Sequence, residues 1–172
     1  KIKIMKNTFA LVVALLALTT VSSEDGCLSF LAHIQFMEYV TCYRYPVEAH
    51  VVVTDDDYEL TIFRIQAKNT TITSGKPVVL LWHGLLDSAD NWVSNDEHIA
   101  PGFILANQGY DVWFGNSRGT KYSLGHRQFD YTNSQEFWDF SWMEMSEKDL
   151  PAAFEYIAER TGKKITYIGH SQ

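Results

Sequence analysis

The sequence predicts an α/β fold: a mixed, mostly parallel sheet with helices on both faces. Three observations point to it. Val78-Val79-Leu80-Leu81-Trp82 is apolar at every position, the pattern of a central parallel strand covered on both sides. Tyr110–Phe114 and Lys163–Ile168 repeat that short buried pattern, and stretches of helical periodicity separate the three runs. Ahead of them, Val47–Thr54 and Tyr58–Ile65 are two β-rich runs joined by Asp55-Asp56-Asp57, a hairpin that makes the sheet mixed.

Each element has its own signal. Leu31, Ile34, Met37 and Val40 fall at helical spacing, so Leu28 to Tyr43 reads as a short amphipathic helix ended by Tyr45-Pro46. The three adjacent acids at 55–57 form a solvated turn, since a calcium loop needs spaced ligands, a glycine and a distal glutamate. Lys68 to Lys76 is a polar loop carrying the glycosylation sequon Asn69-Thr70-Thr71. Ile99 to Gln108 reads as a helix stopped by Gly109. Glu144 to Arg160 reads as one helix with Leu150, Phe154, Ile157 and Ala158 as its apolar stripe, ending at Thr161-Gly162.

The N-terminus has the form of a secretory signal over residues 1–23. Lys1, Lys3 and Lys6 precede an apolar run from Phe9 to Leu18, and small residues follow up to Ser23. The apolar run is too short to span ~30 Å of hydrocarbon as an anchor. Met5 offers an alternative start. Removing residues 1–23 takes three of 14 basic side chains and none of 21 acids, leaving a net charge near −10. That balance excludes binding to nucleic acid or an anionic membrane through charge. The cysteines, Cys27 and Cys42, are an even count in a secreted chain, compatible with a mutual disulfide or with pairing elsewhere. No C-x-x-C or His/Cys cluster suggests a metal, and no cofactor is expected.

The chemistry lies in three places. Gly169-His170-Ser171-Gln172 supplies four of the five positions of a G-x-S-x-G nucleophile elbow, placed directly after a buried strand. Ser171 is the expected nucleophile. His83-Gly84-Leu85-Leu86 follows the strand ending at Trp82, where this architecture places one backbone N–H of the oxyanion hole. Leu85 and Gln172 are the expected donors. Gly115-Asn116-Ser117-Arg118-Gly119 ends the next strand; it lacks the spacing of a phosphate loop, and Arg118 is expected to order loops near the elbow. Asp87 and Asp90 have no glycosidase context. An α/β-hydrolase needs more than 172 residues, so the expectation is a signal peptide at 1–23 followed, at 24–172, by the N-terminal part of one α/β-hydrolase domain. In that fold the other triad members follow the serine as Asp or Glu, then His. Both are expected beyond Gln172, together with the lid, and His33, His50, His83, His98, His126 and His170 are read as non-catalytic.

Taken in order, Tyr45-Pro46-x-Glu48, Leu80-Leu81-Trp82-His83-Gly84-Leu85-Leu86, Asp90-Asn91-Trp92, Gly109-Tyr110-Asp111-Val112-Trp113, Asn116-Ser117-Arg118-Gly119, Phe140-Ser141-Trp142-x-Glu144-Met145, Asp149-Leu150-Pro151-Ala152 and the elbow resemble the acid lipase family. That family includes gastric and lysosomal acid lipases, and the resemblance runs from about Tyr45 to the end. It implies an α/β-hydrolase that cleaves neutral lipid esters (triacylglycerols and, in some members, cholesteryl esters) at a lipid–water interface, in a secreted or lysosomal setting. It also implies Ser171 as nucleophile and the N–H groups of Leu85 and Gln172 as oxyanion hole. Arg44 and Asp57 stand where the family usually carries glycine, and Gln66 where it usually carries proline. The alternatives are a lipid-binding or storage protein on the same fold, and a carboxylesterase for small soluble esters.

Overall fold

A computed structural model of the chain describes residues 35–172. The signal segment, Cys27 and the first part of the expected Leu28–Tyr43 helix lie outside them. The described part of that helix is α1, Phe36–Cys42. It turns Phe36, Tyr39 and Val40 into the core, while Met37 is exposed. Met37 therefore does not belong to the buried stripe. The side of α1 that packs is set by Phe36, which stacks on Phe63 with ring centroids 4.3 Å apart. Cys42 is disulfide-bonded.

Strands β1 (Val47–Val53) and β2 (Tyr58–Ile65) pair antiparallel from Val47↔Ile65 to Val53↔Glu59. Next come β3 (Val78–Trp82), helix α2 (Pro101–Asn107) and β4 (Asp111–Phe114). A two-residue strand, β5 (Gly125–His126), adds to β2. A helical turn, α3 (Trp142–Glu144), leads through a π-helical stretch at Met145–Asp149 into α4 (Leu150–Thr161), and β6 (Ile165–Gly169) follows. The sheet order is β1-β2-β4-β3-β6, with β2 antiparallel to β4 and with β3 parallel to both β4 and β6. The sheet is mixed, as expected, but among the described strands the antiparallel pairings (β1–β2, β2–β4 and β2–β5) outnumber the parallel ones (β3–β4 and β3–β6), so the parallel majority is not seen here.

The alternation of side chains along the strands builds two cores. Phe63, Ile65, Val79, Leu81, Val112 and Phe114 point to one face, beneath α1 and α2. Leu60, Ile62, Val78, Leu80, Trp82 and Trp113 point to the other, where Ala153 and Ile157 of α4 cover them. Ala158, expected in that stripe, is exposed; the buried α4 residues are Ala153 and Ile157.

The expected single helix at 144–160 is interrupted for a covalent reason. Pro151 has no N–H, and its ring excludes the ordinary i→i−4 geometry, so the turn before it widens to π form. This turn carries Asp149 inward to zero exposure, where it meets Arg118. The fully buried Gln66 amide holds Thr73 by hydrogen bonds of 2.7 and 3.0 Å and so closes the base of the 67–76 loop. Among the described residues no helix is long and apolar enough to cross a membrane, and no cluster of His, Cys, Asp and Glu has metal-binding form.

Candidate active site

Because β3, β4 and β6 run parallel, their carboxyl ends open on the same edge of the sheet, where active sites of open α/β sheets form. The register places Trp82 beside Gly169 and Leu81 beside Phe114. Two further backbone bonds extend the pairing past the strand ends: His170 N–H to Trp82 O at 3.0 Å, and Gly115 N–H to Leu81 O at 2.9 Å. His83–Leu86, Gly115–Gly119 and His170–Gln172, far apart in sequence, are thereby brought together.

Ser171 has φ +63°. A left-handed backbone at a non-glycine residue costs roughly 1–2 kcal/mol, and here it is the sharp turn that lifts the hydroxyl off the end of β6. The turn leaves no space beside it. A Cβ added to Gly84 would lie 2.8 Å from the Ser171 Cβ and 3.0 Å from the His170 carbonyl. Glycine at 84 is thus what lets the loop after β3 rest directly on the serine. A second close approach supports the first: a Cβ at Gly115 would lie 2.0 Å from the Trp82 ring, whose Nε1 donates to Ser117 Oγ at 2.9 Å.

The loop at 83–87 is a tight turn. Asp87 N–H donates to Gly84 O at 3.2 Å, and Leu86, inside the turn, has φ +59° and is 97% exposed. Among the described residues the N–H groups of Leu85 and Gln172 donate to no acceptor, and Ser171 Oγ has no hydrogen bond to an imidazole. A cavity of about 130 Å³ opens beside them, lined by Leu85, Leu86, Trp142, Met145, Tyr167 and Gln172 among others. Its wall is largely apolar, and the Gln172 side chain crosses it to meet the Met145 sulfur at 3.5 Å.

His83 is buried and shielded on both ring nitrogens. Nε2 accepts the Ser117 N–H at 3.0 Å, and Nδ1 lies 2.8 Å from Gly84 O. Burial lowers its pKa below the usual imidazole value against a smaller upward pull from the Gly84 carbonyl. Both nitrogens are occupied, so this ring is not available to take a proton from Ser171. Asp90 is likewise engaged, by Lys121, by the Tyr122 hydroxyl at 2.9 Å and by Ser88 Oγ, and forms no carboxylate pair with Asp87.

Arg118 is 1% exposed and orders the floor of the site. Its backbone N–H and Nε meet the two oxygens of Asp149 at 2.9 and 2.8 Å, its two terminal nitrogens hold Asp56, and its guanidinium lies 3.9 Å from the Tyr58 ring centre. One cation therefore serves two carboxylates. Burial pushes Asp149 up to about 6 despite the hydrogen bonds from Arg118. Burial also pushes up the more exposed Asp56, but there the hydrogen bonds from Arg118 and Thr54 together hold it below the usual carboxylate value. The network ties the β1–β2 turn, the β4 loop and the π-helical turn together. Its two aspartates, and the roles of Ser117 and Gly84, were not foreseen from the sequence; Pro151 inside a helical stretch was the available signal for the π turn.

Comparison with known families agrees with this geometry. The family described as "alpha/beta hydrolase fold" matches residues 77–172, and the "Partial alpha/beta-hydrolase lipase region" matches residues 36–96. Over 144 residues the chain is 46% identical to the gastric triacylglycerol lipase of Bos taurus, covering 82% of this chain and 36% of that protein. It is 40% identical over 176 residues to the lysosomal acid lipase/cholesteryl ester hydrolase of Homo sapiens, covering 98% and 44%. The chain belongs to the acid lipase family of α/β-hydrolases. It spans less than half the length of these relatives. The likeness also extends upstream of Tyr45, where the motifs alone had placed its start. Among solved structures, an esterase of Pyrococcus furiosus superposes with a TM-score of 0.51 at 18% identity, over 76% of this chain and 41% of that one. A serine hydrolase of Xanthomonas campestris gives 0.51 at 17%, over 73% and 51%. At such identities these two establish the fold alone.

Proposed function

We propose that the whole protein is a secreted or lysosomal serine lipase that hydrolyses neutral lipid esters through an acyl-enzyme on Ser171. The observation that carries this reading is the contact between Gly84 and Ser171: it sets a loop with a free N–H beside a strained serine. In the first step Ser171 Oγ bonds to the ester carbonyl carbon while its proton passes to a base. The base is an imidazole following the serine in the chain order of this fold. The carbonyl oxygen becomes an oxyanion facing the N–H groups of Leu85 and Gln172. Collapse expels the alcohol, which takes the proton back from the base. Water then attacks the acyl-enzyme by the same sequence and releases the carboxylic acid. No metal or cofactor takes part.

The apolar cavity suits a hydrocarbon chain, which favours lipid over small polar esters. Asn69 is exposed in a left-handed turn (φ +56°), so it is the site proposed to carry a glycan in the secretory pathway. The disulfide of Cys42 is proposed to close on Cys27. The decisive experiment is hydrolysis of emulsified long-chain triacylglycerol by the whole protein and by Ser171→Ala. Activity abolished in the variant, with secretion intact, supports the reading. Turnover confined to short soluble esters favours a carboxylesterase, and lipid binding unaffected by the serine favours a binding protein.

A further inference from the structure

We propose that His83 is a positioning residue for catalysis: a neutral Nδ1–H imidazole that fixes the Gly84–Leu85 peptide so that the Leu85 N–H faces the nucleophile. The proposal rests on the reading of Leu85 as an oxyanion donor and adds the group that aims it.

The Ser117 backbone N–H can only donate, so Nε2, 3.0 Å away, must present its lone pair. A neutral ring then carries its proton on Nδ1, which is 2.8 Å from the Gly84 carbonyl and donates to it. Ser117 itself is not free to move: Trp82 Nε1 binds its hydroxyl, and its carbonyl accepts from Thr120 Oγ1 at 2.7 Å. The tautomer is therefore set by the β4 loop.

Its consequence appears one peptide further on. Gly84 O accepts both the His83 ring proton and the Asp87 N–H. No peptide bond in the described residues is cis, and in a trans peptide the C=O and N–H point in opposite directions. Pinning the Gly84 carbonyl toward His83 thus directs the Leu85 N–H away from the ring, in a loop whose Gly84 lies directly against Ser171. The turn needs an external anchor because Leu86 holds it in a left-handed conformation while 97% exposed, with almost no packing of its own to maintain that state. His83, 4% exposed, provides the rigid attachment.

The test uses the whole protein with three substitutions chosen by atom position. Asn at 83 places an amide N–H near the Nδ1 position; Gln reaches the Nε2 position; Phe fills the volume with neither. His83→Phe is expected to lower kcat by about 10²-fold, the scale of losing one oxyanion contact, with KM changed by less than about threefold. His83→Asn should recover most of that loss and His83→Gln should not. Recovery by Gln in place of Asn, a loss confined to KM, or a folded Phe variant with wild-type kcat would each overturn the proposal. If the Phe variant does not fold, nitrogen NMR of the wild type decides it: His83 must be the Nδ1–H tautomer at neutral pH, and an Nε2–H tautomer or an imidazolium refutes it. Failure of the underlying reading is distinguishable, because a wild type that neither hydrolyses ester nor takes an organophosphonate on Ser171 defeats the esterase reading itself.

Discussion

Arg44 and Asp57, beyond opposite ends of the β1–β2 hairpin, and Leu86 and Ser171, at the carboxyl edge of the parallel strands, all hold left-handed backbone without being glycine, but their surroundings differ. Asp57 sits in the β1–β2 turn with its strain offset nearby: its N–H donates to Thr54 O, and its carboxylate takes a 2.8 Å bond from Gln128. The Arg44 carbonyl accepts the Asn69 N–H at 2.9 Å, knitting two loops together. Leu86 and Ser171 have no such local return. They are exposed, they adjoin N–H groups without acceptors, and Gly84 presses directly on the serine. Strain of this kind, kept where nothing structural recovers it, marks a place where geometry serves chemistry.

The comparison can be broken most severely at the serine. Ser171→Ala in the whole protein should lower kcat on a triacylglycerol emulsion by about 10⁴–10⁶-fold, as with other serine triads, with unchanged secretion. Near-normal turnover would make the elbow an ordinary turn. Next is Leu85→Pro, which deletes the N–H and should cost about 10²–10³-fold in turnover, against a small loss for Leu85→Ala; circular dichroism checks that the proline variant folds. Gly84→Ala should follow at about 10²-fold, because its Cβ would displace the loop from Ser171 by a fraction of an ångström. Wild-type kcat in a folded Gly84→Ala protein would mean that the contact has no catalytic weight.

A stability measurement probes the ordered floor beneath the site. The raised pKa of Asp149, about 6, means that the native carboxyl keeps its proton in a range where the unfolded one, near 3.8, has lost it. Its contribution to stability is therefore full below about 4 and is lost as pH rises toward 6. Urea unfolding at several pH values should show that slope reduced in Asp149→Asn, and an identical slope in both would contradict the assignment. The smallest effect sharpens the opening contrast. Arg44→Gly and Leu86→Gly each relieve left-handed strain at the cost of greater unfolded-chain freedom, so each should shift stability by only about 0.5 kcal/mol. Only Leu86→Gly should also lower turnover, since it loosens the turn that carries Leu85.

Much of this was legible in the sequence, for identifiable reasons. The central strands stood out because a sheet covered on both faces needs apolar residues at consecutive positions, as in Val78–Trp82, whose observed limits coincide with the expected ones, whereas β6, whose sequence reads as equally buried, is largely exposed. The elbow and the H-G-L-L turn were visible because glycines and the serine must occupy fixed places in a crowded corner. What was hidden depended on three-dimensional partners. Arg118 could be singled out, but not Asp56 and Asp149, which lie 62 and 31 positions away. His83 could be set aside as a base, yet one of its two hydrogen bonds comes from Ser117, which arrives after a different strand. Ala158 and Met37 were misplaced because helical spacing alone does not say which of two adjacent faces meets the sheet.

The most direct test of the central claim is the structure of the whole protein after reaction with a long-chain alkyl phosphonate. The phosphorus should be bonded to Ser171 Oγ, with one phosphonyl oxygen about 2.7–3.1 Å from both the Leu85 and Gln172 nitrogens. An adduct on any other residue, or a phosphonyl oxygen turned away from the 83–86 loop, would contradict the account.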